Sequence, residues 1–460
     1  MVTNWQPDAL DPTQPLYRAI TDRLAADIED GVLATGAQLP TVRALAESLG
    51  VTMGTVYRAY GLAERRGLIS KEVGRGTFVR ERAPRQARAA RAAEAGLVDL
   101  SRNEPPYIDL EDMLRRSLQE ISRNSSLDGM LEYGDSQGFG RHREALASWL
   151  ATRGFKARAE HLIISGGAQQ ALTIALGAVT RPGDVLLVEA YSYPGIRNLA
   201  RFFGLTLIPV AMDADGLDPA ALEQVCRAQQ PRALYCMPHA QNPTTATLPE
   251  DRRRRIGALA AEHGVTIIED DVNPRGTAAA YTPIAALFPQ QSVYISSLSK
   301  SIAPGLRIGA LAAPDRLFDR ILAASQTTSW MAPPLMAELA SIWIQDGTAA
   351  QLAAQRIAIT HHLLAIARDC LAGLPYHANT DNSHLWLPLP GSWSAAEFAA
   401  RCAEAGVRVS PSNHFAIDTT DSLAAVRICL TNIDDARLRQ ALSTVAGLVT
   451  DSPMPTAFQM

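Results

Sequence analysis

Apolar residues recur at a helical spacing near the start of the chain. Every fourth residue is apolar across one stretch: Leu16, Ile20, Leu24 and Ile28. This period lies close to the 3.6 residues of a helical turn, so it predicts an amphipathic helix over residues 15–35, ended by Gly31 and Gly36.

Two shorter apolar runs follow and are separated by Gly50 and Val51. Thr41 stands before the first run, at 42–49, where a helix-capping residue belongs. Thr52 opens the second run, at 52–60. Two short helices joined by a tight glycine turn predict a helix-turn-helix.

The pattern changes to short strands after Gly67. Residues 68–71 and 77–79 flank the tip Gly74-Arg75-Gly76. Two such strands around a glycine-rich tip predict a β-hairpin of the kind called a wing.

From Val98 onward, apolar runs of strand length alternate with helical patterns, which is typical of an α/β domain. The expected strands are 161–164, 185–188, 205–210, 233–237, 265–268 and 292–295. Several of them end in polar residues, and α/β sheets bind ligands at those strand ends.

Charge is distributed unevenly over a chain whose net charge is −4. Residues 41–91 hold eleven Lys and Arg against four Glu, which favours a polyanion partner for this part alone. The Arg- and Ala-rich stretch 81–97 shows no apolar period and is predicted to be a basic linker.

Length and composition limit the remaining possibilities. A chain of 460 residues exceeds one ordinary core, so several domains are expected. The five cysteines are widely spaced and form no CxxC, so neither disulfides nor a zinc site, nor any other metal site, is expected. Residues 1–11 lack the features of a signal peptide and no apolar run has the length of a membrane span, so a cytoplasmic location is expected.

The candidate chemistry centres on Lys300. A lysine in apolar surroundings beside another cation has a lowered pKa and can attack a carbonyl. Ser297, Ser299 and Arg307 surround it in sequence, and hydroxyls with a guanidinium suit a phosphate dianion. Lysine and phosphate site together favour pyridoxal 5'-phosphate (PLP) held as a Schiff base. A polar loop with a surface lysine is the alternative.

Further candidates stand at other strand ends. The Gly166-Gly167 turn before a helix is suited to a phosphate, because free N–H groups point at the anion. Tyr193 offers an aromatic face to a pyridine ring, and Asn242 can donate to a phenolate oxygen. Asp270 can pair with a pyridinium nitrogen. For each residue alone, a capping or turn role is the alternative.

The first 80 residues resemble the winged helix-turn-helix of GntR-type transcription regulators. The motifs that carry this resemblance are Pro15-Leu16-Tyr17, Leu39-Pro40-Thr41-Val42-Arg43, Thr55-Val56-Tyr57-Arg58-Ala59-Tyr60 and Gly74-Arg75-Gly76-Thr77-Phe78-Val79. The resemblance implies that the second helix of the motif enters the major groove of double-stranded DNA. The residues expected at DNA are Arg43, Thr52, Thr55, Arg58 and Arg75. Met53 departs from the family, where Arg or another polar residue is usual.

Residues 98–450 resemble class I/II aminotransferases, which are PLP enzymes of fold type I. The resemblance implies that Lys300 forms the Schiff base, that Ala168 and Gln169 bind the phosphate, and that Tyr133 reaches the partner subunit's phosphate in a homodimer. It also implies that Arg427 grips a substrate carboxylate and that Asn103 and Pro105 lie near the mouth of the site. The family's tyrosine three residues after the pyridine aspartate is replaced by Asn273, and Asn-Pro-Thr-Gly reads Asn242-Pro243-Thr244-Thr245.

The order of the domains resembles that of the MocR subfamily. It consists of a GntR-type module at residues 1–80, a linker at 81–97 and an aminotransferase-like domain at 98–450. The expected fold is therefore multidomain, with an α+β winged helix-turn-helix followed by an α/β domain of fold type I. The favoured function is a PLP-dependent transcription regulator that senses an amino-acid-type effector, or PLP itself, through Lys300. An active transaminase with an accessory DNA-binding module is the alternative, and a large domain without PLP that serves only dimerisation is disfavoured by the intact site residues. Because Asn273 replaces the tyrosine, weak turnover is expected.

Overall fold

The computed structural model describes residues 5–7, 10, 13–29, 32–34, 36–65, 68–72, 75–79, 97–124, 127–276, 281–418 and 423–450. The chain divides into two compact units, Met1–Arg91 and Ala92–Met460. Apart from Leu97, the linker expected at 81–97 lies outside the described residues. Within the described ranges, no helix combines the length and apolar character needed to cross a membrane.

The first unit contains helices followed by a two-stranded antiparallel sheet. Its elements are α1 (Leu16–Glu29), α2 (Val42–Leu49), α3 (Met53–Arg65), β1 (Ile69–Glu72) and β2 (Gly76–Val79). The expected helix-turn-helix and β-hairpin are therefore present. The prediction that the first helix extends to residue 35 was wrong, because Leu33 N donates to Asp27 O rather than to a carbonyl four residues back.

Local hydrogen bonds explain where the two short helices begin and end. Thr41 caps α2 by accepting a hydrogen bond from Ala44 N at 3.2 Å, and Gly50 closes the helix at φ +63°. Thr52 accepts from Thr55 N at 3.3 Å at the start of α3. The apolar residues of the first unit form one core: Ile20, Leu24, Leu39, Leu45, Val56, Ala59, Tyr60, Ile69 and Val79.

The second unit is built on a seven-stranded sheet. Its strands are β4 (Leu162–Ser165), β5 (Val185–Glu189), β6 (Thr206–Val210), β9 (Ala233–Cys236), β10 (Thr266–Asp270), β11 (Ser292–Ser297) and β12 (Gly309–Ala312). They lie in the order β4-β12-β11-β10-β9-β5-β6, and only β12 runs antiparallel to its neighbours. The six expected strands are all present in this sheet.

A smaller antiparallel sheet follows along the chain. It contains β13 (His377–Ala378), β14 (His384–Pro388), β17 (Ala425–Cys429) and β16 (Ser410–Pro411), in that order. Short strand pairs add β3 (Val98–Asp99) with β15 (Val407–Arg408), and β7 (Met212–Asp213) with β8 (Gly216–Leu217).

Helices cover the two sheets of the second unit. They are α4 (Glu111–Asn124), α5 (Gly140–Thr152), α6 (Ala168–Val179), α7 (Pro194–Phe203), α8 (Pro219–Gln229), α9 (Glu250–Glu262), α10 (Ile284–Leu287), α11 (Asp315–Ser329), α12 (Pro334–Gln345), α13 (Thr348–Cys370), α14 (Ala395–Glu404) and α15 (Asp435–Thr450). Separate apolar clusters line the large sheet, and another joins the small sheet to α13, α14 and α15. The strand ends are thereby held in fixed positions.

Candidate functional site

Asp270 is the last residue of β10 and is buried at the edge of the sheet where the strands end in polar residues. Its Oδ2 accepts a hydrogen bond from the Tyr235 hydroxyl at 2.8 Å, whereas its Oδ1 is buried without a partner among the described residues. Burial raises the pKa of Asp270 to about 7, and the Tyr235 hydrogen bond and nearby Lys300 oppose the rise. A buried carboxyl oxygen of this kind is suited to a cationic donor.

Tyr235 was not anticipated as a site residue. It lies in the middle of the buried strand β9, next to β10 in the sheet. A tyrosine inside an otherwise apolar run was the available signal, because a buried hydroxyl requires a partner.

Lys300 follows β11 and lies at the same edge of the sheet. Its Nζ donates a hydrogen bond to the backbone oxygen of Asn103. Burial lowers the pKa of Lys300 to about 8, and the positive charge of Arg427 acts in the same direction. A lysine with this pKa is partly neutral near pH 7 and is therefore a competent nucleophile.

Ser297, Ser299 and Arg307 form a small cluster beside Lys300. Ser297 Oγ donates to Ser299 Oγ at 3.0 Å, and Arg307 Nη1 donates to Ser299 Oγ at 3.2 Å. Arg307 Nη2 also donates to Gly166 O at 3.1 Å, which joins the cluster to the turn before α6. The predicted phosphate ligands on both segments are thus brought together.

Gly167 has no room for a side chain. Its backbone has φ +97°, and a Cβ at this position would lie 2.5 Å from Arg307 Nη2. Among the residues that the structure describes, no side chain caps the first turn of α6, which begins at Ala168 and Gln169. Since the first backbone N–H groups of a helix have no partner within the helix, this end is suited to an anion.

Tyr193 lies beside the start of α6. Its hydroxyl donates a hydrogen bond to Gln169 Oε1 at 2.9 Å. Burial raises the pKa of Tyr193, so its hydroxyl stays protonated over the physiological range.

Arg427 projects from β17 and is held by hydrogen bonds and by a contact with an aromatic ring. Its Nη1 donates to Asn242 Oδ1 at 2.8 Å, and its Nη2 donates to Ser101 O at 2.6 Å. Its guanidinium carbon lies 4.7 Å from the centre of the Phe415 ring. The guanidinium is therefore fixed in orientation within a buried setting.

Asn273 takes no part in this constellation. Its side-chain amide donates to Ala240 O at 2.7 Å, and its backbone oxygen accepts from Arg153 Nη2 at 2.7 Å. The aminotransferase resemblance predicts a tyrosine at this position. Asn273 instead stabilises the neighbouring loop that contains Ala240.

Tyr133 is 87% exposed and contacts the edge of Trp330, with 6.2 Å between the ring centres. Its expected role involves a partner subunit and stays a prediction.

The residues expected at DNA belong to the helix-turn-helix and to the hairpin. Arg43 lies in α2, Thr52 directly precedes α3, and Thr55 and Arg58 lie within α3. Arg75 directly precedes β2 of the hairpin. Arg43 pairs with Glu47 at 2.9 Å, and the hydroxyls of Thr52 and Thr55 lie 3.0 Å apart. Arg58 is exposed and donates from Nε to Gly54 O at 3.3 Å. Arg75 is exposed near the tip of the hairpin, where its backbone oxygen accepts from Gln38.

Two family profiles match the chain. "Aminotransferase class I and II" matches residues 95–445, and "Bacterial regulatory proteins, gntR family" matches residues 16–79. Most of the chain is thereby assigned to one of the two sequence families.

The sequence relatives described next are named as transcription regulators, and the structural relative is named as an aminotransferase. The chain is 28% identical to "Uncharacterized HTH-type transcriptional regulator YdeF" of Bacillus subtilis, over 92% of each chain. It is 28% identical to "HTH-type pyridoxine biosynthesis transcriptional regulator PdxR" of Corynebacterium glutamicum, over 67% of this chain and 68% of that one. The fold is similar to that of kynurenine aminotransferase from Pyrococcus horikoshii, with a TM-score of 0.71 and 22% identity over 86% of this chain and 100% of that one.

Proposed function

Because the chain belongs to the class I and II aminotransferase family and carries a GntR-family domain before it, as MocR-type regulators do, we propose that it is a PLP-dependent transcription regulator that responds to an amino-acid-type effector. The DNA-binding unit supplies the output, and the Lys300 site receives the signal. The observation that carries the proposal is that Lys300 and Arg427 both hold the segment 101–103.

The residues present fit PLP. Within the described part of the chain, Asp270 Oδ1 is a buried acceptor without a partner, and such an acceptor suits the ring nitrogen of PLP. The Gly167 cradle, the first turn of α6 and the cluster of Ser297, Ser299 and Arg307 suit its phosphate. When bound, PLP would supply a carbonyl that condenses with amines and a ring that withdraws electrons.

Each protein group has a definite task in this proposal. Lys300 supplies the amine that holds the cofactor. Asp270 stabilises a proton on the ring nitrogen, and Tyr235 keeps the carboxylate in place by donating to its other oxygen. Tyr193 would provide an aromatic face for the ring, and Asn242, whose Oδ1 accepts from Arg427, would donate from its amide nitrogen to a phenolate oxygen.

Arg427 is proposed to bind the effector's carboxylate. A guanidinium binds a carboxylate through two parallel hydrogen bonds, and the Asn242 contact already fixes its plane. Such a ligand would bind to Nη2 together with Nε, which is buried without a partner among the described residues, and would thereby compete with the hydrogen bond from Nη2 to Ser101 O. Binding of PLP at Lys300 likewise competes with the hydrogen bond to Asn103 O.

We therefore expect that filling the site weakens both anchors of residues 101–103. This segment lies shortly after residues 81–96, which connect the second unit to the DNA-binding unit. We propose that its release or retention changes DNA affinity. The size of that change is limited by the difference between the effector's affinities for the two arrangements.

Double-stranded DNA is the proposed macromolecular ligand, and a homodimer in the cytoplasm is the proposed functional form. Two linked readers gain affinity from effective concentration. Affinity should fall steeply with salt, because binding to phosphates releases counterions. An interaction that does not depend on salt would contradict this part of the proposal.

An active transaminase with an accessory DNA module is the alternative. The convergence of Lys300, Asp270 and Arg427 favours it, whereas the use of Asn273 as a structural residue disfavours it. The experiment is to titrate the PLP-loaded protein with a panel of amino acids while recording visible absorbance and DNA binding. A keto acid is then added and product is measured.

A regulator is expected to change its absorbance and its DNA affinity with one class of amino acid and to form little product. Sustained turnover of about 1 per second or faster would favour the transaminase. A change in absorbance without any change in DNA affinity for any amino acid would contradict effector sensing.

A further inference from the structure

The start of α3 presents two large apolar side chains to solvent. Met53 is 57% exposed and Tyr57 is 65% exposed. The two residues are four apart, so they lie one above the other on a single face of the helix. Their neighbours Val56, Ala59 and Tyr60 face the core of the first unit instead.

The polar groups near this face are used within the protein. The hydroxyls of Thr52 and Thr55 bond to each other at 3.0 Å, and Thr52 also accepts from Thr55 N. Arg58 donates from Nε to Gly54 O, and its guanidinium lies 5.7 Å from the centre of the Tyr17 ring. Met53 and Tyr57 therefore form a large part of the outward surface of the first two turns of α3. The sequence predicts that polar residues make the DNA contacts there.

Tyr57 is also held in place. Lys71, on β1, lies with its Nζ 5.4 Å from the centre of the Tyr57 ring and pairs with Glu64 at 2.7 Å. The ring is thus oriented by the hairpin and remains mostly exposed, although exposure of an aromatic ring to water is unfavourable.

We infer that Met53 and Tyr57 recognise thymine by contacting its C5-methyl groups in the major groove. This inference rests on the proposed DNA-binding function. Among the base pairs, thymine is distinguished in the major groove by a methyl group, and apolar side chains contact it. The eleven Lys and Arg of residues 41–91 bring the duplex to this part of the chain, and the apolar pair then selects the sequence.

The size of the effect follows from the burial of one methyl group. Burying one such group contributes about 0.8 kcal/mol, which corresponds to roughly a fourfold change in affinity. Two contacted thymines in one half-site should therefore change affinity by roughly 16-fold if the contributions are independent.

The test begins with selection of duplexes by the full-length protein from two random libraries, one made with thymidine and one with deoxyuridine. Uracil pairs as thymine does and lacks only the methyl group. Duplexes enriched from the thymidine library are then synthesised with single thymine-to-uracil replacements, and their affinities are measured by fluorescence anisotropy.

Matched variants connect the methyl group to the side chain. Met53→Leu keeps an apolar side chain, Met53→Gln has a similar shape but is polar, and Tyr57→Phe keeps the ring. Val32→Ala serves as a control, because Val32 is an exposed apolar residue outside α3.

The wild type, Met53→Leu, Tyr57→Phe and Val32→Ala should each lose roughly fourfold in affinity at one or two specific uracil replacements. Met53→Gln should bind the thymine and uracil forms equally at the position that Met53 contacts. Equal binding of both forms by the wild type would overturn this inference but not the DNA-binding proposal. The same holds for an undiminished methyl effect in a double variant that combines Met53→Gln with Tyr57→Gln and so places polar side chains at both positions. Absence of any enriched sequence in both libraries would overturn the DNA-binding proposal itself.

Discussion

The amine of Lys300 donates a hydrogen bond to the backbone oxygen of Asn103, a residue 197 positions earlier in the chain. Arg427 makes a comparable bond to Ser101 O, at 2.6 Å. Both bonds connect the functional groups of the site to one short segment. These two side chains therefore stabilise the position of residues 101–103.

Replacement of Lys300 by alanine should abolish covalent capture of PLP while the protein remains folded. Lys300 is the lysine that lies beside the Ser297, Ser299 and Arg307 cluster. Visible absorbance after removal of free PLP, and mass spectrometry after borohydride reduction, provide the measurement. Lys156→Ala, at an exposed lysine, is the control and should retain the cofactor. Persistent covalent PLP in Lys300→Ala would contradict the assignment.

The rate of PLP capture by the apoprotein should depend on pH with a midpoint near 8. Burial lowers the pKa of Lys300 from 10.5 to about 8, so the neutral, nucleophilic amine becomes dominant above that pH. The rate should rise about tenfold per pH unit below the midpoint and level off above it. Rapid-mixing absorbance measurements between pH 6 and pH 10 test this. A rate that keeps rising to about pH 10.4, as for an ordinary lysine, would disagree with the burial of Lys300.

Arg427→Ala should weaken the response to amino acids roughly 10- to 100-fold, because a charged hydrogen bond contributes about 1.5–3 kcal/mol. The loss should be specific to the carboxylate. An amine of the same shape without the carboxylate should bind the wild type and the variant alike. Arg408→Ala, at a half-exposed arginine on β15, is the matched control. If Arg427→Ala kept its full preference for the amino acid over the amine, the proposed carboxylate contact would be wrong.

Gly54→Ala should stabilise the first unit and weaken DNA binding. Gly54 lies in α3, and a Cβ there would meet nothing closer than Thr52 Oγ1 at 3.9 Å. Alanine in a helix is favoured over glycine by roughly 0.5–1 kcal/mol. The added methyl would nevertheless stand on the surface proposed to approach the bases. Thermal unfolding and DNA titration of the full chain distinguish the two effects, and unchanged DNA affinity would argue against close approach at Gly54.

Asp271→Asn should destabilise the second unit by about 3–5 kcal/mol, because it leaves buried cations without their partner. Asp271 pairs with Arg153 at 3.1 Å and with Arg275 at 2.9 Å, and all three side chains are almost fully buried. Asp213→Asn removes an exposed partner of Arg252 and should cost at most about 1 kcal/mol. Urea unfolding monitored by fluorescence gives the comparison. Equal losses of unfolding free energy in both variants would contradict a larger contribution from the buried ion pairs.

The sequence was sufficient to predict features governed by local rules. Thr41 caps α2, and Gly50 ends it, because capping depends on residues within one or two turns. The positions of Asp270 and Lys300 followed from the rule that ligands gather at strand ends.

Features that depend on distant contacts could not be predicted. The antiparallel strand β12 looks like any other apolar run, and its direction is set by pairing with β4 and β11. The hydrogen bond between Arg427 and Ser101 joins residues 326 positions apart. The side-chain bond of Asn273 to Ala240 likewise depends on how two loops meet.

Asp270 and Asp271 are chemically identical neighbours with opposite electrical environments. Burial raises the pKa of Asp270 to about 7, whereas Arg153 and Arg275 hold the pKa of Asp271 below its usual range against the effect of burial. Their side chains diverge because successive residues of an extended chain point to opposite faces. A one-residue insertion or deletion in β10 would turn each aspartate to the opposite face, although the local sequence would still read Asp-Asp. This stretch should therefore tolerate conservative substitutions within the strand far better than any change in its length.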